Sequence, residues 1–169
     1  GKWQDVKLRP YDVTASPPVL NSGKKHPYLE FLEEVKEILF DMGFEERSGP
    51  YVANEFWNFD ALFQAQHHPA RAVHDSFRVR GVKPGIDAPP QLIQAVKSAH
   101  ESGAGTGSAG WGYSWDLEMA QQPVLRTQTT AVSIRSLFSL KTPPIKTFCL
   151  SQVFRPDRID YRHLMDVYT

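Results

Sequence analysis

The sequence predicts a fold of the α+β class, in which a few helices pack against short strands. Three observations lead to this prediction. Thirteen prolines and eleven glycines interrupt the 169-residue chain too often for a helical bundle. Two segments carry apolar residues at helical spacing, and shorter strand-like segments lie between and after them. A chain of this length suffices for one ordinary domain that buries roughly 70% of the surface its unfolded form exposes.

The first helix is the strongest element in the sequence. Residues 1–25 predict an extended lead-in, because each proline there pushes the preceding residue away from helical geometry. A helix is then predicted over residues 26–42, with Pro27 in the first turn and Gly43 just past the end. Its apolar residues share one face and its acidic residues the other, so we expect one packed side and one solvated side.

The middle of the chain predicts short elements. Strands are expected at residues 44–47 and 51–53, separated by a Ser-Gly-Pro bend, and at residues 76–80, where apolar and polar residues alternate. The aromatic-rich residues 54–63 predict a short helix or a packed turn. Residues 91–101 show helical spacing.

The last third of the chain begins with a glycine-rich segment, residues 102–114, which predicts a mobile linker. A helix is predicted over residues 129–140, with a threonine as the cap at its start. Strands are expected at residues 145–150, 152–154 and 163–169, the last two joined by a charged turn.

Charge and cysteine content exclude several classes of protein. Nineteen Lys plus Arg balance 19 Asp plus Glu, which argues against binding nucleic acid by bulk charge alone, although a local basic face remains possible. The single Cys149 excludes an intrachain disulfide and a multi-cysteine zinc site. No apolar run approaches the roughly 20 residues that cross a bilayer, and residues 1–5 lack a signal-peptide core. We therefore expect a cytoplasmic protein without a membrane partner.

Two motifs are better explained by structure than by chemistry. Residues 105–110 match the dinucleotide-binding pattern G-x-G-x-x-G, but no strand is predicted before them and no helix after them, which favours the linker. His67, His68 and His74, with Asp75, are residue types that bind zinc or iron. Because no other ligands cluster with them, structural or surface histidines are the favoured interpretation, and we predict no metal site.

Two polar segments are candidates for anion binding. Residues 154–163 carry three arginines, two aspartates and a histidine between two strands. Such a loop suits a triphosphate, because arginine forks meet phosphate oxygens in bidentate fashion; from composition alone, a solvated turn with weak ion pairs is an equal alternative. Residues 125–130 place hydroxyls and an amide at a helix start, where free N–H groups bind anions, although ordinary capping is favoured.

Several longer segments together resemble one family. In chain order they are His26-Pro27, Gly49-Pro50, Phe56-Trp57-Asn58-Phe59-Asp60-Ala61-Leu62-Phe63, His68-Pro69-Ala70-Arg71, Leu125-Arg126-Thr127 and Val153-Phe154-Arg155. The combination resembles the catalytic alpha subunits of the phenylalanyl-tRNA synthetases, which are class II aminoacyl-tRNA ligases. The resemblance implies an antiparallel sheet flanked by helices, carrying the first two class II motifs.

The resemblance also implies a division of the chain. Residues 1–25 are expected to form an extended N-terminal arm, and residues 26–169 the N-terminal part of the catalytic domain. The glycine-rich insert at about residues 81–123 resembles the archaeal and eukaryotic cytosolic branch of the family. By this resemblance the chain alone is expected to be incomplete and inactive.

Site residues follow from the resemblance position by position. Arg155 is expected to hold the amino acid carboxylate and the α-phosphate of ATP, and is the one catalytic residue assigned. Asp157 stands where the family has a glutamate that helps bind ATP, and His163 matches a loop histidine that approaches the phosphates.

The amino acid is expected to contact His74, Gln128, Thr130 and Thr169. Gln128 replaces the usual histidine of the family and Thr169 replaces a glutamine, so both departures bear on amino acid selectivity.

The implied activity is the ATP-dependent attachment of phenylalanine to its tRNA through an aminoacyl-adenylate, with Mg²⁺ bridging phosphate oxygens. The implied partners are tRNA, a synthetase beta subunit and a second alpha subunit. Two alternatives stay open: a non-catalytic synthetase-like paralogue or assembly module, and a superfamily ligase for another amino acid.

Overall fold

The computed structural model describes residues 6–7, 10–16, 19–72 and 76–169. Helices and short strands alternate along the chain, which is the predicted α+β composition. The elements are α1 (Pro27–Asp41), β1 (Glu45–Glu46), β2 (Val52–Asn54), α2 (Glu55–Asn58), α3 (Pro90–Ser102), α4 (Leu117–Ala120), β3 (Pro123–Leu125), α5 (Thr130–Leu140), β4 (Thr147–Phe148), β5 (Gln152–Phe154) and β6 (Asp166–Tyr168). Single 3₁₀ turns lie at Asp60–Leu62, Pro69–Arg71 and Gly103–Gly105.

The three predicted long helices are confirmed as α1, α3 and α5. The predicted threonine cap of α5 is wrong, because Thr129 already has helical backbone angles (φ −77°, ψ −9°) and its side chain caps no N–H group. Its hydroxyl lies 3.4 Å from the hydroxyl of Thr169 instead. Residues 10–16 and 19–25 carry no helix or strand, and the division into an arm and a catalytic domain stays a prediction.

The strands form three short pairs, two of which are antiparallel as expected. The β1–β4 pair is parallel, which departs from the predicted all-antiparallel sheet. The long stretch of chain between β1 and β4 supplies the crossover that a parallel pair requires. The register pairs Val52 with Leu125 in β2–β3, Val153 with Val167 in β5–β6, and Glu45 with Thr147 in β1–β4.

Two sets of backbone hydrogen bonds extend the β2–β3 pair. The predicted strand at residues 76–80 forms one bridge to β3, where the N–H of Val79 donates to the carbonyl of Pro123 at 2.9 Å. At the other end of β3, the N–H of Phe154 donates to the carbonyl of Arg126 at 3.0 Å. The end of β5 is thereby fixed beside the end of β3.

The glycine-rich segment is not the mobile linker that its composition predicts. It turns tightly and packs against the end of α3, where the N–H of Trp111 donates to the carbonyl of His100 at 2.6 Å. Trp115, which follows the segment, is only 5% exposed. The aromatic residues supply burial and hydrogen bonds that glycines alone lack, and they order the turn.

The core lies between α2, α4 and the glycine-rich segment. Its fully packed members are Phe56, Trp57, Trp115 and Ala120, with apolar residues of α3 and α5 packed against them. None of the helices in the described part of the chain is long and apolar enough to cross a membrane.

Gly110 and Gly107 make a matched pair for testing the packed turn. Both have positive φ, +70° and +84°, so an alanine at either position is strained by a similar amount, about 1–2 kcal/mol. A Cβ at Gly110 would also lie 2.8 Å from the carbonyl oxygen of His100, whereas a Cβ at Gly107 meets nothing within 4 Å. We expect Gly110→Ala to lower the melting temperature of the full-length gene product clearly more than Gly107→Ala. Equal shifts would contradict the packed turn.

Candidate active site

A cleft of about 490 Å³ opens where four segments of the chain meet. The segments are the turn after α2, the 3₁₀ turn that begins at Pro69, the junction between β3 and α5, and the residues that follow β5. The lining contains a cationic side chain, an anionic side chain and several polar ones, together with one aromatic ring. The lining residues are Phe59, Gln64, Ala70, Thr127, Gln128, Arg155, Pro156 and Asp157.

Asn58 fixes the junction between β3 and α5. Its side chain is fully buried, its Nδ2 donates to the Thr127 hydroxyl at 3.0 Å, and its Oδ1 accepts from the N–H of Thr127 at 3.2 Å. The backbone oxygen of Asn58 accepts from Nε2 of Gln128 at 3.1 Å. Since buried amide groups are costly unless paired, these bonds hold Gln128 in one place in the cleft.

Arg126 fixes the segment that carries Arg155. The Arg126 side chain is 1% exposed, and its guanidinium lies 4.6 Å from the centre of the Tyr51 ring. Its Nε donates to the carbonyl of Gln152 at 2.9 Å, and its Nη1 donates to the carbonyl of Gly49 at 2.9 Å. A fully paired arginine thus ties the end of β3 to the start of β5.

Arg155 is the cleft residue best suited to bind an anion. It follows β5 directly and is exposed, and the one hydrogen bond that its side chain forms to the described residues runs from Nε to the carbonyl of Thr127 at 3.4 Å. The two NH₂ groups of the guanidinium are therefore open to a ligand. A planar guanidinium binds carboxylates and phosphates in bidentate fashion.

Arg71 supports the side of the cleft that contains Phe59 and Gln64, from the interior of the protein. It is 4% exposed, and its guanidinium lies 4.9 Å from the centre of the Phe59 ring. Its Nη2 donates to Oδ1 of Asp60 at 3.0 Å and to the carbonyl of Gln64, and its Nη1 donates to Oε2 of Glu55 at 3.4 Å. Phe59 and Gln64 both line the cleft, so a buried ion pair lies directly behind them.

Asp60 has hydrogen-bond partners in two further segments. Its Oδ1 also accepts from Nε1 of Trp115 at 3.0 Å, and its backbone oxygen accepts from Nε2 of His100 at 2.8 Å. The hydroxyl of Tyr113 accepts from the N–H of Gln66 and lies 2.7 Å from Nδ1 of His100. Because a carbonyl oxygen only accepts, Nε2 of His100 is the donor in the bond to Asp60.

Burial also acts on the ionisation of the two carboxyl groups. Desolvation raises the pKa of Asp60 and the pKa of Glu55, and the neighbouring arginines oppose that rise. The arginines thus stabilise the ionised form of both groups in the interior.

Three of the predicted site residues meet in the cleft: Arg155, Asp157 and Gln128. Two others do not line it. Thr130 is exposed in the first turn of α5, and Thr169 lies beside Thr129.

His163 also lies outside the cleft lining. Its ring Nδ1 is 3.0 Å from Oδ1 of Asp160, the same oxygen that accepts from the backbone N–H groups of Arg162 and His163. The bond from the N–H of Arg162 is the main cause that lowers the pKa of Asp160. His74 falls outside the described residues, so the proposed contact of His74 with the amino acid stays a prediction.

Phe59, Gln64 and Ala70 line the cleft and were not assigned a role from the sequence. The signal that points to them is indirect: Asp60 and Arg71 stand in apolar surroundings, where a charged side chain requires a partner of opposite sign. Pairing Asp60 with Arg71 brings the residues beside them into one wall.

The structure describes two of the three histidines that were interpreted as structural, His67 and His68, and their contacts agree with that interpretation. His68 accepts at Nδ1 from the N–H of Ala70 at 3.1 Å, and the His67 ring lies 5.4 Å from the Tyr113 ring. No group of three or more potential metal ligands occurs among the described residues. Burial raises the pKa of the Cys149 thiol, which disfavours the thiolate.

Comparison with known proteins places these observations in a family. The model of the family described as "tRNA synthetases class II core domain (F)" matches residues 10–168. A curated relative from Methanopyrus kandleri, phenylalanine–tRNA ligase alpha subunit, is 43% identical over 168 residues, which are 99% of this chain and 32% of that protein. The protein of the same name from Methanoculleus marisnigri is 47% identical over 166 residues, 98% of this chain and 34% of its own length.

The chain therefore spans about a third of the length of these curated relatives. Among solved structures, the pyrrolysyl-tRNA synthetase from Desulfitobacterium hafniense matches with a TM-score of 0.50 over 84% of this chain and 37% of that chain. At 15% sequence identity, this likeness concerns the fold alone.

Trp115 and Trp111 allow the buried carboxylate to be tested. Trp115→Phe removes a donor to the buried Asp60, which we expect to cost about 1.5–3 kcal/mol, as for hydrogen bonds to charged groups. Trp111 is 49% exposed and its Nε1 donates to the carbonyl of Phe63, so Trp111→Phe should cost less than about 1 kcal/mol. Thermal unfolding of both variants of the full-length gene product measures the difference, and equal losses would refute the role of Asp60.

Proposed function

The chain belongs to the class II tRNA synthetase core domain family, and from this premise we propose that it supplies part of the active site of a ligase that attaches phenylalanine to tRNA. The family resemblance found in the sequence motifs is confirmed. The observation that carries the proposal is the shared cleft of Arg155, Asp157 and Gln128. The relatives named phenylalanine–tRNA ligase alpha subunit support the choice of amino acid.

The reaction has two steps. A carboxylate oxygen of phenylalanine attacks the α-phosphorus of ATP, the bond from that phosphorus to the bridging oxygen breaks, and pyrophosphate leaves. The product is phenylalanyl-adenylate, a mixed anhydride. A hydroxyl of the terminal ribose of tRNA then attacks the carbonyl carbon and loses its proton, while AMP leaves with the electron pair of the broken C–O bond.

Arg155 has the chemistry that the first step needs. The attacking carboxylate is already ionised, so no general base is required, and the barrier comes from bringing two anions together. A bidentate cation offsets that repulsion and the charge that develops at phosphorus. Arg155 suits this role because its two NH₂ groups form no hydrogen bond to the described residues.

Asp157 suits the binding of Mg²⁺ together with ATP. Mg²⁺ is commonly held by one or two carboxylates plus substrate phosphates. The cleft lining offers one carboxylate, Asp157, which fits an ion that arrives with the nucleotide and does not fit a resident all-protein site. The ion would neutralise phosphate charge. Although Asp157 stands where the family has a glutamate, it still offers a carboxylate to the ion.

Gln128 suits the amino group of the substrate. Its Nε2 donates to the backbone oxygen of Asn58, so its Oε1 remains as an acceptor for an ammonium group. We assign His74, Thr130 and Thr169 to the same substrate only by family resemblance, and His163 to the ATP phosphates on the same ground.

The proposed partners are tRNA, a beta subunit and a second alpha subunit, and the proposed location is the cytoplasm. Helix α1 supports a protein partner, because large apolar side chains on it are about half exposed in this chain. They are Leu29 (46%), Phe31 (56%), Ile38 (53%) and Phe40 (48%), followed by Met42 (57%) at the C-cap.

Gln128 and Thr169 depart from the residues usual in the family. These departures favour a second candidate, a ligase of the same superfamily with another amino acid substrate. ATP–pyrophosphate exchange by the full-length gene product with its partner subunit, tested across a panel of amino acids, separates the candidates. Exchange with phenylalanine alone supports the first proposal. Exchange with a different amino acid supports the second, and no exchange from a folded complex supports a non-catalytic paralogue.

Replacing Arg155 tests its proposed role. We expect Arg155→Ala to lower phenylalanine-dependent exchange by about 10²–10³-fold, the loss seen when one preorganised donor to a developing charge is removed. Arg47→Ala serves as the control, since Arg47 is partly exposed, pairs with Glu45 and does not line the cleft. Near-normal exchange by Arg155→Ala would contradict the role.

Asn58 and Asn54 separate cleft geometry from stability. Both side chains are buried and form two hydrogen bonds each, but those of Asn54 go to the N–H of Trp57 and the carbonyl of Gly85, away from the cleft. We expect similar destabilisation by Asn58→Ala and Asn54→Ala, about 1–3 kcal/mol. Exchange should fall about tenfold or more only for Asn58→Ala, because Thr127, the residue before Gln128, loses both of its bonds to the Asn58 side chain. Equal activity losses would refute this role of Asn58.

A further inference from the structure

We propose that Arg71 is a positioning residue for the amino acid substrate, acting through Phe59 and Gln64 without touching the substrate itself. The proposal rests on the proposed function and deepens it. Arg71 does not line the cleft, yet the three lining residues on its side are its direct contacts or its chain neighbour: Phe59, Gln64 and Ala70.

The guanidinium of Arg71 contacts two of these three wall residues directly, and the third precedes Arg71 in the chain. Its flat face lies 4.9 Å from the centre of the Phe59 ring, and its Nη2 donates to the carbonyl of Gln64. Ala70 precedes Arg71 in the 3₁₀ turn, and its carbonyl accepts from the hydroxyl of Ser76 at 2.9 Å. One residue therefore links the turn after α2 to the 3₁₀ turn in this wall.

Two buried carboxylates fix the position of the guanidinium. Asp60 lies 3.0 Å from Nη2 and Glu55 lies 3.4 Å from Nη1, with all three side chains no more than 3% exposed. Glu55 is shared with Arg78 at 3.1 Å. Because an unpaired buried charge is strongly unfavourable, Arg71 has little freedom to move, and neither does the wall packed on it.

This wall adjoins the part of the cleft assigned to the amino acid. Phe59 directly follows Asn58, whose backbone oxygen accepts from Gln128, the proposed partner of the substrate amino group. Arg155 and Asp157 are held separately, since Arg126 bonds to the carbonyl of Gln152 in the strand that leads to them. A defect at Arg71 should thus weaken amino acid binding more than ATP binding.

Lysine cannot replace arginine in this arrangement. A guanidinium offers donors in fixed directions and a flat face for a ring, whereas an ammonium is a compact point charge. Arg71→Lys keeps the charge that the two carboxylates require but gives up the simultaneous contacts to Phe59 and Gln64. It therefore disturbs the wall while sparing the charge balance.

The test is steady-state ATP–pyrophosphate exchange by Arg71→Lys in the full-length gene product with its partner subunit. We expect the KM for phenylalanine to rise about 10-fold and the KM for ATP to change less than about twofold. Arg135→Lys is the matched control, because the Arg135 guanidinium also pairs with a carboxylate and lies over a ring, but outside the cleft. It makes a bidentate pair with Asp87 at 2.8 and 2.9 Å, and its central carbon lies 4.8 Å from the centre of the Trp57 ring. Neither KM should move more than about twofold in that variant.

Unchanged KM values in Arg71→Lys, or equal rises for both substrates, would overturn the positioning role. Should Arg71→Lys fail to fold, Phe59→Leu tests the same wall with the ion pairs intact. A rise in the KM for phenylalanine alone supports the proposal, and unchanged values overturn it. If the unmodified protein shows no phenylalanine-dependent exchange, the proposed function itself fails, which the unmodified control reports separately.

Discussion

The burial of the Asp60 carboxylate is the constraint on which the rest of the structure depends. An ionised group in the interior is tolerated only when cations and donors surround it, and Asp60 obtains them from distant parts of the chain. Arg71 and Trp115 both donate to its Oδ1, and His100 donates to its backbone oxygen. The turn after α2, the 3₁₀ turn at Pro69, α3 and the end of the glycine-rich segment are consequently held around one point.

Two buried arginines hold different parts of the cleft in place. Arg71 supports the wall that contains Phe59, while Arg126 secures the strand that leads to Arg155. Both are nearly inaccessible and bonded on several atoms, whereas Arg155 is exposed and its side chain makes a single long bond to the described residues. The same residue type thus serves structure where its donors are used within the chain, and in Arg155 it leaves donors open for the proposed ligand.

Patterns in short stretches of the sequence predicted the elements that depend on interactions within those stretches. Periodicity was sufficient for α1, α3 and α5, and the motif around Arg155 was sufficient for one side of the cleft. The packed glycine-rich turn was missed because its order comes from Trp111 and Trp115 contacting Phe63 and Asp60, which lie about 50 residues away in the sequence. The parallel β1–β4 pair and the Phe59 wall depend on similar long-range contacts, which no local pattern contains.

We propose that this cleft holds phenylalanine and the α-phosphate together on Arg155. A crystal structure of the full-length gene product with a non-hydrolysable phenylalanyl-adenylate analogue tests it most directly. We expect the phosphate-mimicking group within hydrogen-bond distance of the Arg155 guanidinium, and the ammonium group of the ligand beside Oε1 of Gln128. An analogue bound elsewhere, or bound here without contact to Arg155, would contradict the claim.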